Sequence, residues 1–255
     1  MKNITNLTGI IICFLFTTTI IAQTRVNASD IMRDIKSGKN IAYNNVTIVG
    51  DLDFTFMDEQ LNKLPKRKRR FWNNSNNKIE KQITGKVSFK NCTFVDNVFA
   101  YIHDEDSGYT FVANFDDVAI FKNCVFKEMA MFKYSNFRTN ADFSDSKFNG
   151  DSTFKYAKFR KDISFLNTIF EEESTFKYTV FDNNVSFASA IFKESATFKY
   201  TKFKDGVSFN KTRFEEDLDF KYTKVRGKFD ITGMHVEYDV DSKYASINGN
   251  KFSYQ

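Results

Sequence analysis

From Phe115 onward the large apolar positions recur at fixed intervals. Phenylalanine stands at 115, 121, 126, 132, 137, 143, 148, 154, 159, 165 and 170, and the row runs on through 176, 181, 187, 192, 198, 203, 209, 214 and 220. The steps alternate six and five residues throughout. Neither a helical period of about 3.6 residues nor the two-residue period of a single long strand sustains that spacing. Two residues before each Phe there is usually a small or β-branched side chain, among them Ala141, Ser152, Ala157, Ile163, Thr168 and Ser174, and polar residues fill the rest. Positions i−2 and i of an extended segment point to the same side. The pattern therefore predicts a chain of very short strands, each giving one small and one large residue to a common core.

A longer period lies over the first. The segments FKYSNF from Phe132, FKYAKF from Phe154, FKYTVF from Phe176, FKYTKF from Phe198 and FKYTKV from Phe220 return every 22 residues. The segments between them read DFSDSKF, SFLNTIF, SFASAIF and SFNKTRF, so an 11-residue repeat is excluded. Units such as ADFSD at 141–145 and LDFKY at 218–222 have a small residue, then Asp, then Phe, then two polar positions. In these units, over about residues 85–250, the chain resembles the pentapeptide-repeat family. The resemblance implies an all-β fold, a right-handed quadrilateral parallel β-helix (solenoid) with four short sides per coil.

The alternating six-residue step departs from the family's strict five and requires two kinds of edge. Coils stacked like parallel strands, ~4.8 Å apart, place each Phe above the one 22 residues earlier. Ring stacks at that spacing are favourable, so the core is expected to be four aromatic ladders. The register is expected to run from Phe121 to Phe252, six coils and about 29 Å of axis.

A solenoid end leaves strand edges and apolar rings exposed, so caps are expected. Residues 23–45 read as an N-terminal cap whose short helix has Ser29 as N-cap, Ile31, Met32 and Ile35 on one face, and Gly38 as its stop. The β-helix is then expected over 46–255, with loop insertions at 57–84 and 102–112. Near the C-terminus Ser242 takes a position that Phe would hold, and Ile231, Val236 and Ile247 narrow the others. The core tapers there or meets a second copy, which makes a homodimer through a solenoid end an expectation.

Composition adds an address. Residues 1–22 carry Lys2, an apolar run from Ile10 to Phe16 and a small residue, Ala22, before Gln23, the layout of a secretory signal peptide. Thr17, Thr18 and Thr19 leave the run short of the ~20 apolar residues a membrane span needs. Cleavage after Ala22 is expected, with the mature protein exported to the periplasm or beyond. The net charge of +5 loses only Lys2 with that segment, leaving +4. Modest basicity favours anionic neighbours.

Two surfaces are candidates for binding. In the insertion, Lys66, Arg67, Lys68, Arg69 and Arg70 are followed by Phe71 and Trp72, a cationic stretch with an aromatic anchor. In the repeats, Lys155, Lys177 and Lys199 align at one corner beside Tyr156, Tyr178 and Tyr200, within rows that run from Lys133 to Lys243 and from Tyr134 to Tyr244. Stacked lysines repel, so the acidic residues nearby, Asp151, Glu171, Glu173, Glu194 and Glu215 among them, are expected to neutralise the row.

His103, Asp104, Glu105 and Asp106 miss the spacing of a calcium loop and read as a protruding turn. Cys92 and Cys124 fall on one ladder a coil apart, closer to stacked thiols than to a disulfide. No catalytic constellation, cofactor site or metal site emerges. Some pentapeptide-repeat proteins mimic DNA and bind DNA gyrase, which needs an acidic face and a cytosolic address; this chain is basic and carries an export signal, and no nucleic-acid partner is expected. The sequence points to a non-catalytic structural or interaction protein of the bacterial cell envelope, its partner an envelope protein. The alternative is a binding module for acidic polysaccharide or an anionic lipid surface, through the basic loop or the Lys/Tyr ladder.

Overall fold

The computed structural model describes residues 23–64 and 77–254. The repeat winds a four-sided solenoid in which each side contributes a strand of two residues. In one coil these are Asn136–Phe137 (face 1), Ala141–Asp142 (face 2), Lys147–Phe148 (face 3) and Ser152–Thr153 (face 4). Each strand pairs in parallel with the strand 22 residues on: Ser152 lies opposite Ser174, Ser174 opposite Ala196, and Ala196 opposite Leu218. Four sheets of eight to ten strands result.

The small and large inward positions are both buried, Ala157 and Phe159 as much as Ile163 and Phe165. Ring centroids on face 1 stand 4.7–5.1 Å apart from Phe115 to Phe203. On face 3 they stand 4.4–5.0 Å apart from Phe94 to Phe214. The columns of Phe121 and Phe154 complete the four, and edge-on contacts such as Phe154 to Phe165 at 5.2 Å tie neighbouring columns together. At roughly 0.5–1.5 kcal/mol per aromatic pair beyond area burial, these contacts give the narrow core much of its order.

Two kinds of corner alternate. Where the step is five, the chain makes a tight turn: the Ala157 N–H donates to the Phe154 carbonyl at 2.9 Å, and the turn's third residue, Tyr156, sits at φ 61°. The six-residue steps make broader bends. In the tight turns the residue after the left-handed position also bonds upward. Thr179 Oγ1 donates to the Phe154 carbonyl at 2.7 Å and Thr201 Oγ1 to the Phe176 carbonyl at 2.6 Å, so a buried hydroxyl satisfies the previous coil's turn.

The ends differ from expectation in four places. The solenoid begins before residue 46: Thr24–Asn27 pairs with Val46–Val49, and Ile41–Asn44 pairs with Val87–Lys90. The helix α1 (Ala28–Lys36) is thus inserted within the first coil, buries Ala28, Ile31, Met32 and Ile35, and has Asn27, not Ser29, as its N-cap. Gly38, at φ 76°, follows its C-cap Ser37. The insertion that opens at Met57–Leu61 does not extend to 84, because Lys78–Ile83 rejoins face 1 and pairs with residues 110–115 of Tyr109–Phe115. The second insertion is a hairpin in which Tyr101–Asp104 pairs antiparallel with Tyr109–Phe115.

At the C-terminus the parallel register stops at Ile247, opposite Val225. Asn250–Lys251 folds back antiparallel on Ser246–Ile247, and Phe252 turns its ring to within 6.2 Å of Phe220 and 5.2 Å of Phe229. Phe252 is therefore a plug from a return strand and not the next rung. It supplies the ring that Ser242 leaves out.

Cys92 and Cys124 are both buried and unbonded, in adjacent coils. Their Sγ atoms approach the carbonyls of Lys90 at 3.1 Å and Lys122 at 3.4 Å. A hydrogen bond from Cys124 draws the Cys92 thiol down to about 7, and burial pushes Cys124 up. Protein unfolded without reductant should show Cys92 and Cys124 as titratable thiols; an intact mass short by two hydrogens would contradict this. For the ladders, Phe176→Ala should cost about 3–5 kcal/mol, and Phe176→Asp or Phe198→Asp should abolish folding by placing an unpaired charge among rings. A Phe176→Asp protein with wild-type circular dichroism and melting point would refute the stack.

Candidate functional site

The tight corner between faces 4 and 1 carries the FKY segments. Its left-handed position is tyrosine in six successive coils: Tyr134, Tyr156, Tyr178, Tyr200, Tyr222 and Tyr244, all at φ between 56° and 63°. A bulky side chain there is unusual, because the left-handed region costs an L-residue roughly 1–2 kcal/mol. The opposite tight corner uses Asn91, Asn123, Asp145 and Asn167, residues that tolerate this conformation, and continues with Ser189, Lys211 and Gly233. Asn123 Nδ2 donates to Asn91 Oδ1 at 2.7 Å, and Asn167 Nδ2 to Asp145 Oδ1 at 2.9 Å, so that corner is held by side-chain amides.

Ring stacking offsets the cost at the tyrosine corner. Successive Tyr centroids stand 4.6–4.9 Å apart and nearly parallel, a continuous half-exposed column along the solenoid. Beside each of Tyr156, Tyr178 and Tyr200 the preceding lysine lies over the ring, Lys155 and Lys177 at 5.5 Å and Lys199 at 5.7 Å from the centroid. These are cation–π distances.

The acidic residues do not neutralise this row as expected. Glu171 pairs with Lys147 at 2.6 Å and Lys193 at 2.9 Å on face 3, and Asp182 pairs with Arg160 and Lys204 at the bend after face 1. Within the row, Lys221 pairs with Asp241 at 2.7 Å. Among the described residues no carboxylate lies within 4.0 Å of Lys155, Lys177 or Lys199. The sequence explains part of this: the side chain one coil on that would correspond to Asp241 is Thr175 for Lys155 and Thr197 for Lys177. Burial, then the neighbouring charges of Lys133 and Lys177, lower the pKa of Lys155. Burial and the adjacent rings raise Tyr156 and Tyr200.

The hairpin marks the upper end of the row. Lys133 Nζ lies 3.1 Å from the Tyr101 hydroxyl and 4.5 Å from its ring centroid. His103 Nδ1 is 2.9 Å from Thr110 Oγ1 across the hairpin, and among the described residues no group of three His, Cys, Asp or Glu is placed to hold a metal. The basic stretch Lys66, Arg67, Lys68, Arg69, Arg70 and Trp72 lies outside the described residues, as does the apolar segment at 1–22. Tyrosine's place in the left-handed turn was not readable from its type, since Asn or Gly is the usual signal there; its fixed distance from the inward Phe was the only clue.

This geometry defines a parallel solenoid whose outer surface repeats with its core. The family model for pentapeptide repeats (nine copies) matches residues 113–158, 132–180 and 176–224. Over that stretch, 113–224, the chain carries the pentapeptide repeats of that family, and the ladders continue on either side of it. No curated protein matches it. Among solved structures it is similar to HetL, a pentapeptide repeat protein involved in heterocyst differentiation regulation from the cyanobacterium Nostoc sp. strain PCC 7120. That likeness is 10% in identity over 89% of this chain and 100% of that one, with a TM-score of 0.26, which gives it no weight.

The stacked phenols should titrate late. A folded pKa raised above the unfolded value of ~10 gives stability that is complete below that pH and is lost as pH rises through the folded value. Phenolate absorbance from Tyr156 and Tyr200 should therefore appear above the pH at which the urea-unfolded chain titrates. Coincident native and unfolded titrations would show that the column is open to water.

Proposed function

We propose that this is a non-catalytic interaction protein of the bacterial cell envelope that holds an extended anionic partner along its Lys/Tyr corner. The observation that carries the reading is the set of three stacked lysines, Lys155, Lys177 and Lys199, with no carboxylate within 4.0 Å among the described residues, on a corner where tyrosine occupies a costly backbone position in six successive coils. Like charges aligned at strand spacing destabilise a fold. Elsewhere Glu171 and Asp182 each hold cations from two coils, and where lysines stack without such a partner their repulsion is a cost that a bound anion would remove. Members of this family are generally non-enzymatic structural proteins, which agrees with the repeating, uninterrupted surface.

A flat surface that repeats every ~4.8 Å meets a polymer many times, and weak single contacts then add through multivalency. Lysine supplies charge for carboxylate or phosphate, and tyrosine supplies a ring face for a sugar. The leader places the protein where acidic glycans and anionic lipid headgroups are at hand, and the basic stretch at 66–70 would add to the same attraction.

Replacing Lys155, Lys177 and Lys199 together by Gln, and in a second variant Tyr156, Tyr178 and Tyr200 by Ser, tests the corner on an array of acidic glycans and anionic vesicles. Wild-type binding that weakens with salt and is lost in both variants, with the coils still folded by circular dichroism, is the expected result. Binding by neither wild type nor variants would remove the anionic reading.

A further inference from the structure

Beside the lysine row, face 4 is hollowed into an open trough of about 470 Å³. Its floor is a line of outward threonines, Thr153, Thr175 and Thr197, one per coil and half-buried. Along one rim runs the lysine corner, each lysine two residues beyond a threonine and outside the lining itself. The opposite wall is acidic, with Asp151, Glu173 and Asp217 exposed two residues before the corresponding strand positions. Neither Asp151 nor Glu173 has a cation within 4.0 Å among the described residues, while Asp217 Oδ1 accepts the Asp239 N–H at 3.1 Å.

The floor hydroxyls are oriented. The backbone N–H groups of Lys155, Lys177 and Lys199 donate to the Oγ1 atoms of Thr153, Thr175 and Thr197 at 3.3, 3.4 and 3.4 Å. Each hydroxyl thus accepts from its own corner and keeps its hydrogen for a group in the trough. The array is bounded along the axis. Met131 stands at the threonine position of the preceding coil, and Asp219 and Asp241 stand there in the following two, where Asp241 also engages Lys221. The hydroxyl floor thus lies beside Lys155, Lys177 and Lys199, over three coils and about 10 Å of axis.

A ligand that fits must offer anions to the lysine rim, hydrogen-bond donors to the acidic side and hydroxyls to the floor, repeated along a line. A bare polyanion satisfies the lysines but meets the acidic wall with like charge. A hydroxylated one does not, because sugar hydroxyls donate to carboxylates and exchange hydrogen bonds with threonine. We propose that the trough binds a linear acidic glycan of the polyuronate class, laid along the solenoid axis with its carboxylates on Lys155, Lys177 and Lys199 and its hydroxyls on the threonine floor and the acidic wall. This rests on the lysine corner being an anion-binding surface and names its ligand.

The test compares oligogalacturonates of increasing length with polyphosphate of similar charge, by calorimetry on the exported chain. Wild type should bind oligogalacturonate more tightly than polyphosphate, with affinity that rises with length and levels off once the oligomer outspans the three coils. Thr153→Val, Thr175→Val and Thr197→Val combined keep the side-chain shape and a strand-compatible residue. They should weaken oligogalacturonate at least about tenfold and leave polyphosphate unchanged, whereas the Lys→Gln triple variant should lose both. Equal binding of the two polymers, untouched by the valines but lost with the lysines, would overturn the trough and leave the lysine corner standing. Failure of wild type to bind either polymer would overturn both.

Discussion

The structure depends on one constraint: coils of equal length stack at the spacing of parallel strands, so every side chain sits over its own counterpart in the next coil. What that alignment does depends on the side chain. Phenylalanine gains, because rings 4.4–5.5 Å apart fall where aromatic attraction is favourable. Threonine in the inner small slot gains, because its hydroxyl reaches the carbonyl of the coil before. Lysine loses, because like charges are brought into line. At some positions the solenoid answers this with carboxylates that bridge two coils, as Glu171 and Asp182 do.

The tyrosine corner is where local preference and the repeat disagree. The tight turn wants a residue at ease with positive φ, and the opposite corner supplies Asn or Asp in its first coils before passing to Ser189, Lys211 and Gly233. At the FKY corner the chain instead holds a bulky ring in that conformation through six coils and places a lysine over most of those rings. The stacked column recovers stability, but stacked amides would do so at a lower backbone cost. The extra cost and the unpaired lysines fall on the same edge, next to a trough whose floor hydroxyls point outward. That coincidence is the ground on which this edge is proposed as a surface for binding.

Much of this was legible beforehand. The alternating spacing of phenylalanines fixed the coil length, and the small residue before each Phe marked the second inward position. The Lys and Tyr rows followed from the 22-residue return. What escaped had weaker local signals. Thr24–Asn27 is separated from the rest of its coil by α1, so its pairing shows only in space. Lys78–Ile83 is a wall strand without a single phenylalanine, and Phe252 has the right residue type on a strand of the wrong direction. Ion pairing escaped as well, since it depends on which coil a long side chain leans toward and not on its place in the repeat.

The central claim is that the alignment of the corner, and not the total charge, makes the binding surface. Deleting residues 158–179 removes one whole coil and leaves the remaining FKY corners in line. Deleting residues 158–168 removes half a coil, which preserves the alternation of phenylalanine steps but carries Lys177 and Lys199 to the opposite corner from Lys155. The account predicts that both proteins fold by circular dichroism, and that the half-coil deletion binds oligogalacturonate far more weakly although it retains more of the row's lysines. Equal binding by the two deletions, or tighter binding by the half-coil protein, would contradict it.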